Sequence, residues 1–375
     1  MDRLVKAKEE LRKKGVKIYD FGTGDPKEPT APFIRETLKA SVPEVSQYPT
    51  VKGKRELREA IAKWFKNRFN VELDPEREVI PSSGSKEAIF HFPLVFVDGD
   101  SGKRKVVFGT PAYPVYERGT LFAGGEPFKV KLKEEENFLL RLDKLPKSIL
   151  EETALVWINY PHNPTGALAP LSYLRDTYDL CREYGIILCS DECYTEIYFQ
   201  EPPPSLLQVG KEGAVVFHSL SKRSGLTGYR SGFVAGDKEI IQTYLKYRSS
   251  FGVASPDFIQ EAARVAWLDE AHVRERREVF KEKKEVFEEL FKELNLKHLP
   301  VKATFYFWVR LPEGVSSQDY ALHLLKYGIV ISPGEFFGEG GEGYFRIALV
   351  PSVKECKEAA AIWKRAHREF MEKVS

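Results

Sequence analysis

Residues 219–232 read Ser-Leu-Ser-Lys-Arg-Ser-Gly-Leu-Thr-Gly-Tyr-Arg-Ser-Gly, which sets Lys222 among hydroxyls and Arg230 eight positions further on. A lysine amine condenses with an aldehyde to a Schiff base and, once released, shuttles a proton. Hydroxyls such as Ser219 and Ser221, joined by a guanidinium, make a phosphate site. Two readings follow for this stretch: a solvated basic loop, or a covalent anchor beside a bound phosphate. A second anion site is marked by Ser83-Gly84-Ser85-Lys86, a turn of small residues opening a helical stretch, where backbone N–H groups are free to meet a ligand. Alone, that turn is an ordinary helix cap. Asp191 and Glu192 close an apolar run, and by themselves are only a strand-end pair.

The four cysteines, Cys181, Cys189, Cys193 and Cys356, fit neither a disulfide framework nor a zinc site. Cys189 and Cys193 bracket Ser190-Asp191-Glu192, and no paired Cys or His cluster follows at ligand spacing, so no metal is expected.

These groups need elements to hold them. The first fifteen residues read as a charged helix ended by Gly15, and 18–21 as a short strand breaking into the loop Gly22-Thr23-Gly24-Asp25-Pro26. Residues 55–69 have helical periodicity. From about 79 to 236, the apolar runs 105–108, 155–159, 186–190, 215–219 and 232–235 alternate with helix-length segments, which predicts βαβ units and a mostly parallel sheet. Their polar ends are where open α/β sheets bind ligands. Beyond Pro256 the chain is helical, and in 269–295 the residues Val279, Phe280, Val286, Phe287, Leu290, Phe291 and Leu294 form one stripe. The stripe reads as a long helix packed on its own domain rather than a coiled coil. Strands are expected at 305–311, 329–331 and 345–350. The fold class is therefore α/β: a large domain over 46–265, with a mostly parallel sheet flanked by helices, and a smaller α+β domain from 1–45 and 266–375.

Composition narrows the function classes. With 375 residues, 42% of them hydrophobic, the chain has ample apolar material for a core, which excludes disorder. A net charge of +2 gives no reason to expect nucleic acid or an acidic membrane as partner. No apolar run approaches the roughly 20 residues of a membrane span. The charged N-terminus lacks the apolar core of a signal peptide; a cytoplasmic protein is expected. Abundant Lys and Glu with sparse Asn and Gln lean towards a thermostable one.

From residue 18 to 350, a series of motifs resembles, in order, those of the class I and II aminotransferases, pyridoxal-phosphate (PLP) enzymes of fold type I. Residues 219–232 resemble their cofactor-lysine signature, departing at Ser231, where an aliphatic residue is usual. The resemblance implies that Lys222 carries PLP, with Ser219, Ser221, Arg230 and the turn Gly84-Ser85-Lys86 on its phosphate. Tyr113, in Pro111-Ala112-Tyr113-Pro114, stacks on its ring. Asn163, within the motif 159–166, and Tyr194 bond its phenolic oxygen, while Asp191 pairs with its ring nitrogen. Arg346 grips the substrate α-carboxylate, with Gly24 and Asn163 beside it. Tyr48 reaches the phosphate of a neighbouring subunit's cofactor, which implies a homodimer with composite sites. Lys222, Asp191 and Tyr194 form the implied catalytic set for ping-pong transamination between an amino acid and a 2-oxo acid. His162 and His218 are counted as neighbours, because the lysine moves the proton.

Residues 22–29, 84–90, 190–199 and 219–236 together look like the succinyldiaminopimelate aminotransferases of lysine biosynthesis. The implied pair is N-succinyl-LL-2,6-diaminopimelate and 2-oxoglutarate, with glutamate as donor; Lys27, Lys52 and Lys86 are candidates for a second carboxylate. Alternatives are an LL-diaminopimelate, aspartate or alanine aminotransferase and a PLP-dependent cystathionine β-lyase. A transcription regulator on this scaffold would need a DNA-binding module, for which a match starting near residue 18 leaves no room.

Overall fold

In the computed structural model, which describes residues 2–375, the short strand Tyr19–Asp20 (β1) comes first. The strands of one large sheet follow: Val79–Ser82 (β2), Lys105–Thr110 (β3), Glu126–Lys131 (β4), Thr153–Ile158 (β5), Ile187–Asp191 (β6), Ala214–Ser219 (β7) and Gly232–Gly236 (β8). Their order is β2-β8-β7-β6-β5-β3-β4. Every neighbouring pair is parallel except those of β8, which is antiparallel to β7 and β2. Side chains alternate between two apolar layers: Val156, Val216 and Phe233 face one, Leu155, Val215 and Val234 the other. Both layers are buried because helices cover both faces, which is why these strands read as continuous apolar runs. The expected strands of this sheet lack β2 and β4, its two edge strands. β4 is half-buried along most of its length and tolerates Pro127 because its outer side has no partner.

Near the C-terminus come Tyr306–Arg310 (β9), Ile329–Val330 (β10), Ser332–Pro333 (β11) and Tyr344–Ala348 (β12). They form an antiparallel sheet of order β11-β12-β9, while β10 pairs in parallel with β1. Both chain ends thus enter one core, where Phe21, Phe287, Phe307, Phe345 and Trp363 meet. The helix Ala271–Glu293 buries Phe280, Phe287, Leu290 and Phe291 in it, so its stripe packs on its own chain. The same helix also buries Arg276 and Lys283. Lys283 pairs with Glu28 and donates to the Leu349 carbonyl at 3.2 Å. Among the described residues no helix is long and apolar enough to cross a membrane.

Strands β2, β3, β5, β6 and β7 run the same way, so their carboxyl ends share one edge of the sheet. β8 runs oppositely and brings its first residues to that edge. Ligand sites of open α/β sheets form there.

Candidate active site

A cavity of about 720 Å³ opens between this edge and the second core. Lys222 stands in it. β7 ends at Ser219, whose Oγ accepts the Ser221 N–H at 3.0 Å and starts the short helix Leu220–Arg223. The Lys222 amine donates to the Gly24 carbonyl and lies 5.5 Å from the centre of the Phe305 ring. The next residues are pinned from behind. Arg223 donates to the Ala266 carbonyl at 2.7 Å and to Glu270 at 2.8 Å, and Ser224 Oγ lies 2.7 Å from His272 Nε2. This buried clamp fixes the base of the lysine.

At one end of the cavity the helix Ser85–Phe96 begins without a side-chain cap, leaving N–H groups of its first turn free. Gly84 precedes it at φ +81°, and a Cβ there would sit 2.5 Å from an Arg230 guanidinium nitrogen. Glycine is needed for both reasons. Arg230 itself adopts a left-handed φ of 54° and donates to the Thr227 carbonyl at 2.8 Å. Ser85, Lys86, Ser219 and Ser221 line the same cavity. Free N–H groups, hydroxyls and a guanidinium together suit a phosphate.

Asp191, the last residue of β6, is 5% exposed and lines the cavity. It accepts from the Tyr116 hydroxyl at 2.6 Å and from the Cys193 N–H at 3.4 Å. Both donors are neutral, and burial pushes the carboxyl up. Such a group is completed by a cation in the cavity. Asn159 links this residue to the next: its amide donates to the Asp191 carbonyl at 2.9 Å and accepts from the Asn163 N–H at 3.0 Å. Asn163 Oδ1 in turn accepts from Arg346 at 2.8 Å, and Arg346 also donates to the Gly22 carbonyl at 3.0 Å. Tyr194 and Tyr306 touch through their hydroxyls at 2.7 Å. Tyr113 borders the cavity, its phenol pushed up by burial first and by Asp191 second.

Lys222, Asp191, Tyr194, Asn163, Ser219, Ser221, Arg230, Ser85, Lys86, Tyr113, Gly24 and Arg346 therefore line one space, with Gly84 against Arg230. Tyr48 does not: it is 100% exposed and lies outside the cavity of its own chain. Of the three lysines considered for a second carboxylate, Lys86 borders the cavity, whereas Lys27 does not and Lys52 pairs with Glu76 at 2.9 Å. His162 is buried beside Thr165 and pushed down to about 3 by that burial, so it is neutral. His218 sits 2.9 Å from buried Glu192. Neither histidine lines the cavity. Sequence reasoning missed Tyr116, Asn159 and Tyr306. Asn159 had a signal, four residues before Asn163 at a strand end; the two tyrosines lie in runs that look like core.

The arrangement offers an amine for a carbonyl, a cradle for a phosphate, a buried carboxylate for a ring cation and a guanidinium fork for a carboxylate. The family model described as aminotransferase class I and II matches residues 16–362. The chain is 43% identical over 365 residues to LL-diaminopimelate aminotransferase of Aquifex aeolicus (strain VF5), covering 95% of this chain and 93% of that protein. It is 40% identical to LL-diaminopimelate aminotransferase 2 of Trichormus variabilis, covering 94% and 92%. A solved structure from Thermus thermophilus, described as a probable N-succinyldiaminopimelate aminotransferase, superposes with a TM-score of 0.89 at 30% identity, covering 97% and 98%. The chain belongs to the class I and II aminotransferases, enzymes of fold type I that work with pyridoxal 5′-phosphate.

Proposed function

We propose that this aminotransferase moves the amino group between LL-diaminopimelate and 2-oxoglutarate, with glutamate as the returning donor. The observation that carries the substrate is the pair of relatives at 43% and 40% identity, spanning nearly the whole chain, both named for free LL-diaminopimelate. The succinylated substrate put first by the motif resemblance becomes the second reading, favoured by the Thermus structure at 30%.

PLP, when bound, supplies an aldehyde that links reversibly to amines and a ring that takes up the electron pair left on a deprotonated Cα. In this reading Lys222 holds it. Gly84, Ser85, Lys86, Ser219, Ser221 and Arg230 hold its phosphate, Asp191 keeps its ring nitrogen protonated, Asn163 and Tyr194 bond its ring oxygen, and Tyr113 covers its ring. The Lys222 amine, once displaced by substrate, takes the proton from the substrate Cα. Arg346, with Gly24 and Asn163 beside it, fixes the α-carboxylate so that this Cα faces the amine. Tyr48 serves the site of a second copy, which makes the working unit a homodimer.

The test is a stoichiometric spectral titration of the PLP-loaded protein with glutamate, LL-diaminopimelate and N-succinyl-LL-diaminopimelate in parallel. Glutamate and the free diamine are expected to bleach the visible band, and the succinylated compound to react roughly tenfold slower or less. An inert free diamine beside a reactive succinyl compound returns the assignment to the second reading. Homocysteine, pyruvate and ammonia released from added cystathionine without a keto acid would place the chain among the lyases.

A further inference from the structure

Tyr306 lies in no recognised motif, yet it touches both halves of the site. On β9 it stands diagonally across from Arg346 on β12: Arg346 is paired with Trp308 and Ala348 with Tyr306, so side chains 306 and 346 share a face. The residue is 3% exposed. The Arg346 guanidinium carbon lies 4.2 Å from the Tyr306 ring centre and 4.7 Å from that of Phe337. At the far end of the ring, the hydroxyl meets that of Tyr194 at 2.7 Å. Gly24 completes the fit, because a Cβ there would sit 2.7 Å from the Tyr306 hydroxyl and 3.6 Å from the Lys222 amine.

Two touching hydroxyls share a single hydrogen bond, so only one of their two protons lies between them. If Tyr306 donates, the Tyr194 proton is left to point elsewhere, and both residues line the cavity. Donation also polarises the Tyr194 O–H and strengthens the bond it gives onward. We propose that Tyr306 is a positioning residue acting through two neighbours: its hydroxyl aims the Tyr194 proton at the cofactor's ring oxygen, and its face holds the Arg346 guanidinium flat for the substrate carboxylate. The inference rests on the roles given above to Tyr194 and Arg346. The charged and titratable groups facing the tyrosine pair are Arg346, Cys193, Tyr113 and Lys222, and the test leaves all of them in place.

The visible band of the PLP-loaded enzyme is titrated against pH, and KM for the amino acid is measured, in the parent, Tyr306→Phe, Tyr194→Phe and the double variant. Tyr306→Phe keeps the ring, so KM stays within about twofold while the band's midpoint rises by about half a pH unit or more. The sign follows from weaker donation to the ring oxygen, which leaves its negative charge less compensated and the adjacent proton more tightly held. Tyr194→Phe raises the midpoint further, and the double variant no further than Tyr194→Phe alone, as expected of a residue acting through Tyr194. Tyr306→Leu removes the platform and raises KM roughly tenfold; Tyr306→Met, which refills the volume, gives the same reading should the leucine variant not fold. A midpoint that moves in Tyr194→Phe but not in Tyr306→Phe overturns the inference and spares the site's reading. A midpoint unmoved in both overturns the role of Tyr194, and this inference with it. A fall in kcat and melting temperature without a midpoint shift marks a merely structural residue and also overturns it.

Discussion

A carboxyl group as buried as that of Asp191, with hydrogen bonds only from the Tyr116 hydroxyl and the Cys193 N–H, is an unfavourable place for a negative charge. Burial pushes it up, against the smaller opposing pull of Cys193 and Tyr116. A folded-state value above the unfolded one means that the cofactor-free folded chain holds this proton more tightly than the unfolded chain. Stability from this residue is therefore lost as pH rises from about 3.9 through the folded value, and the loss is in force above it. Asp191→Asn keeps an acceptor for Tyr116 and removes the charge. Thermal melts of the cofactor-free protein at pH 7 are expected to place the variant level with the parent or a few degrees above it, roughly the shift of a 1 kcal/mol gain. Turnover of the loaded enzyme should fall at least about a hundredfold, because the ring cation loses its partner. A variant that melts well below the parent would show that Asp191 is structural before it is functional.

The turn at Ser83 to Ser85 owes its shape to the helix it opens. Glu87, in the first turn of Ser85–Phe96, accepts the Ser83 N–H at 2.9 Å and two Arg248 nitrogens at 2.7 and 2.9 Å, with His91 at 3.0 Å. Burial alone would raise this carboxyl, but the hydrogen bonds from His91 and Arg248 and the Arg248 charge bring it down to about 2. The stability it contributes is complete above the unfolded value and is lost as pH falls through the folded one, about 3 kcal/mol in all. Glu87→Gln should lower stability at pH 7 and lose less of it between pH 4.5 and 2, as well as loosening PLP several-fold by freeing the turn. Denaturant unfolding at pH 7, 4 and 3 checks this; curves that fall in parallel would refute it. The same scale shows what a sequence carries. The placement of Lys222, Asp191 and Asn163 at the cavity was legible because each stands at or just after the end of a strand bounded by polar residues, and that of Gly84 because a turn of small residues opens a helix there. Tyr306 was not, because its neighbours Arg346 and Tyr194 reach it only through the register of β9 with β12 and the packing of the turn after β6 into the second core. Tyr116 likewise meets Asp191 from a helix remote in sequence. Arg276 and Lys283 sit on an apolar stripe as if misplaced, until Glu28 arrives from the other chain end.

At the scale of the whole molecule, one chain accounts for every residue of the implied site except Tyr48. That side chain is fully exposed, and Val42 and Val45, a few residues earlier in the chain, are exposed at 58% and 70%. Single exposed apolar residues are ordinary, but the resemblance implies that this exposed tyrosine reaches a neighbour's phosphate, and the proposed function takes it to act in a second copy. If the proposed homodimer forms, it is part of the site, and cofactor affinity becomes linked to association. Tyr48→Ala should leave the melting temperature of the cofactor-free protein within about 2 °C, because nothing on its own chain packs against it. The same change should weaken PLP binding by roughly tenfold or more, the worth of one hydrogen bond to a charged group. Spectroscopic titration with PLP gives the affinity, and sedimentation of the parent gives the mass, expected at twice the 42.9 kDa of the chain. A parent that sediments as a monomer with full activity, or a Tyr48→Ala variant that binds PLP as tightly as the parent, would confine the site to one chain.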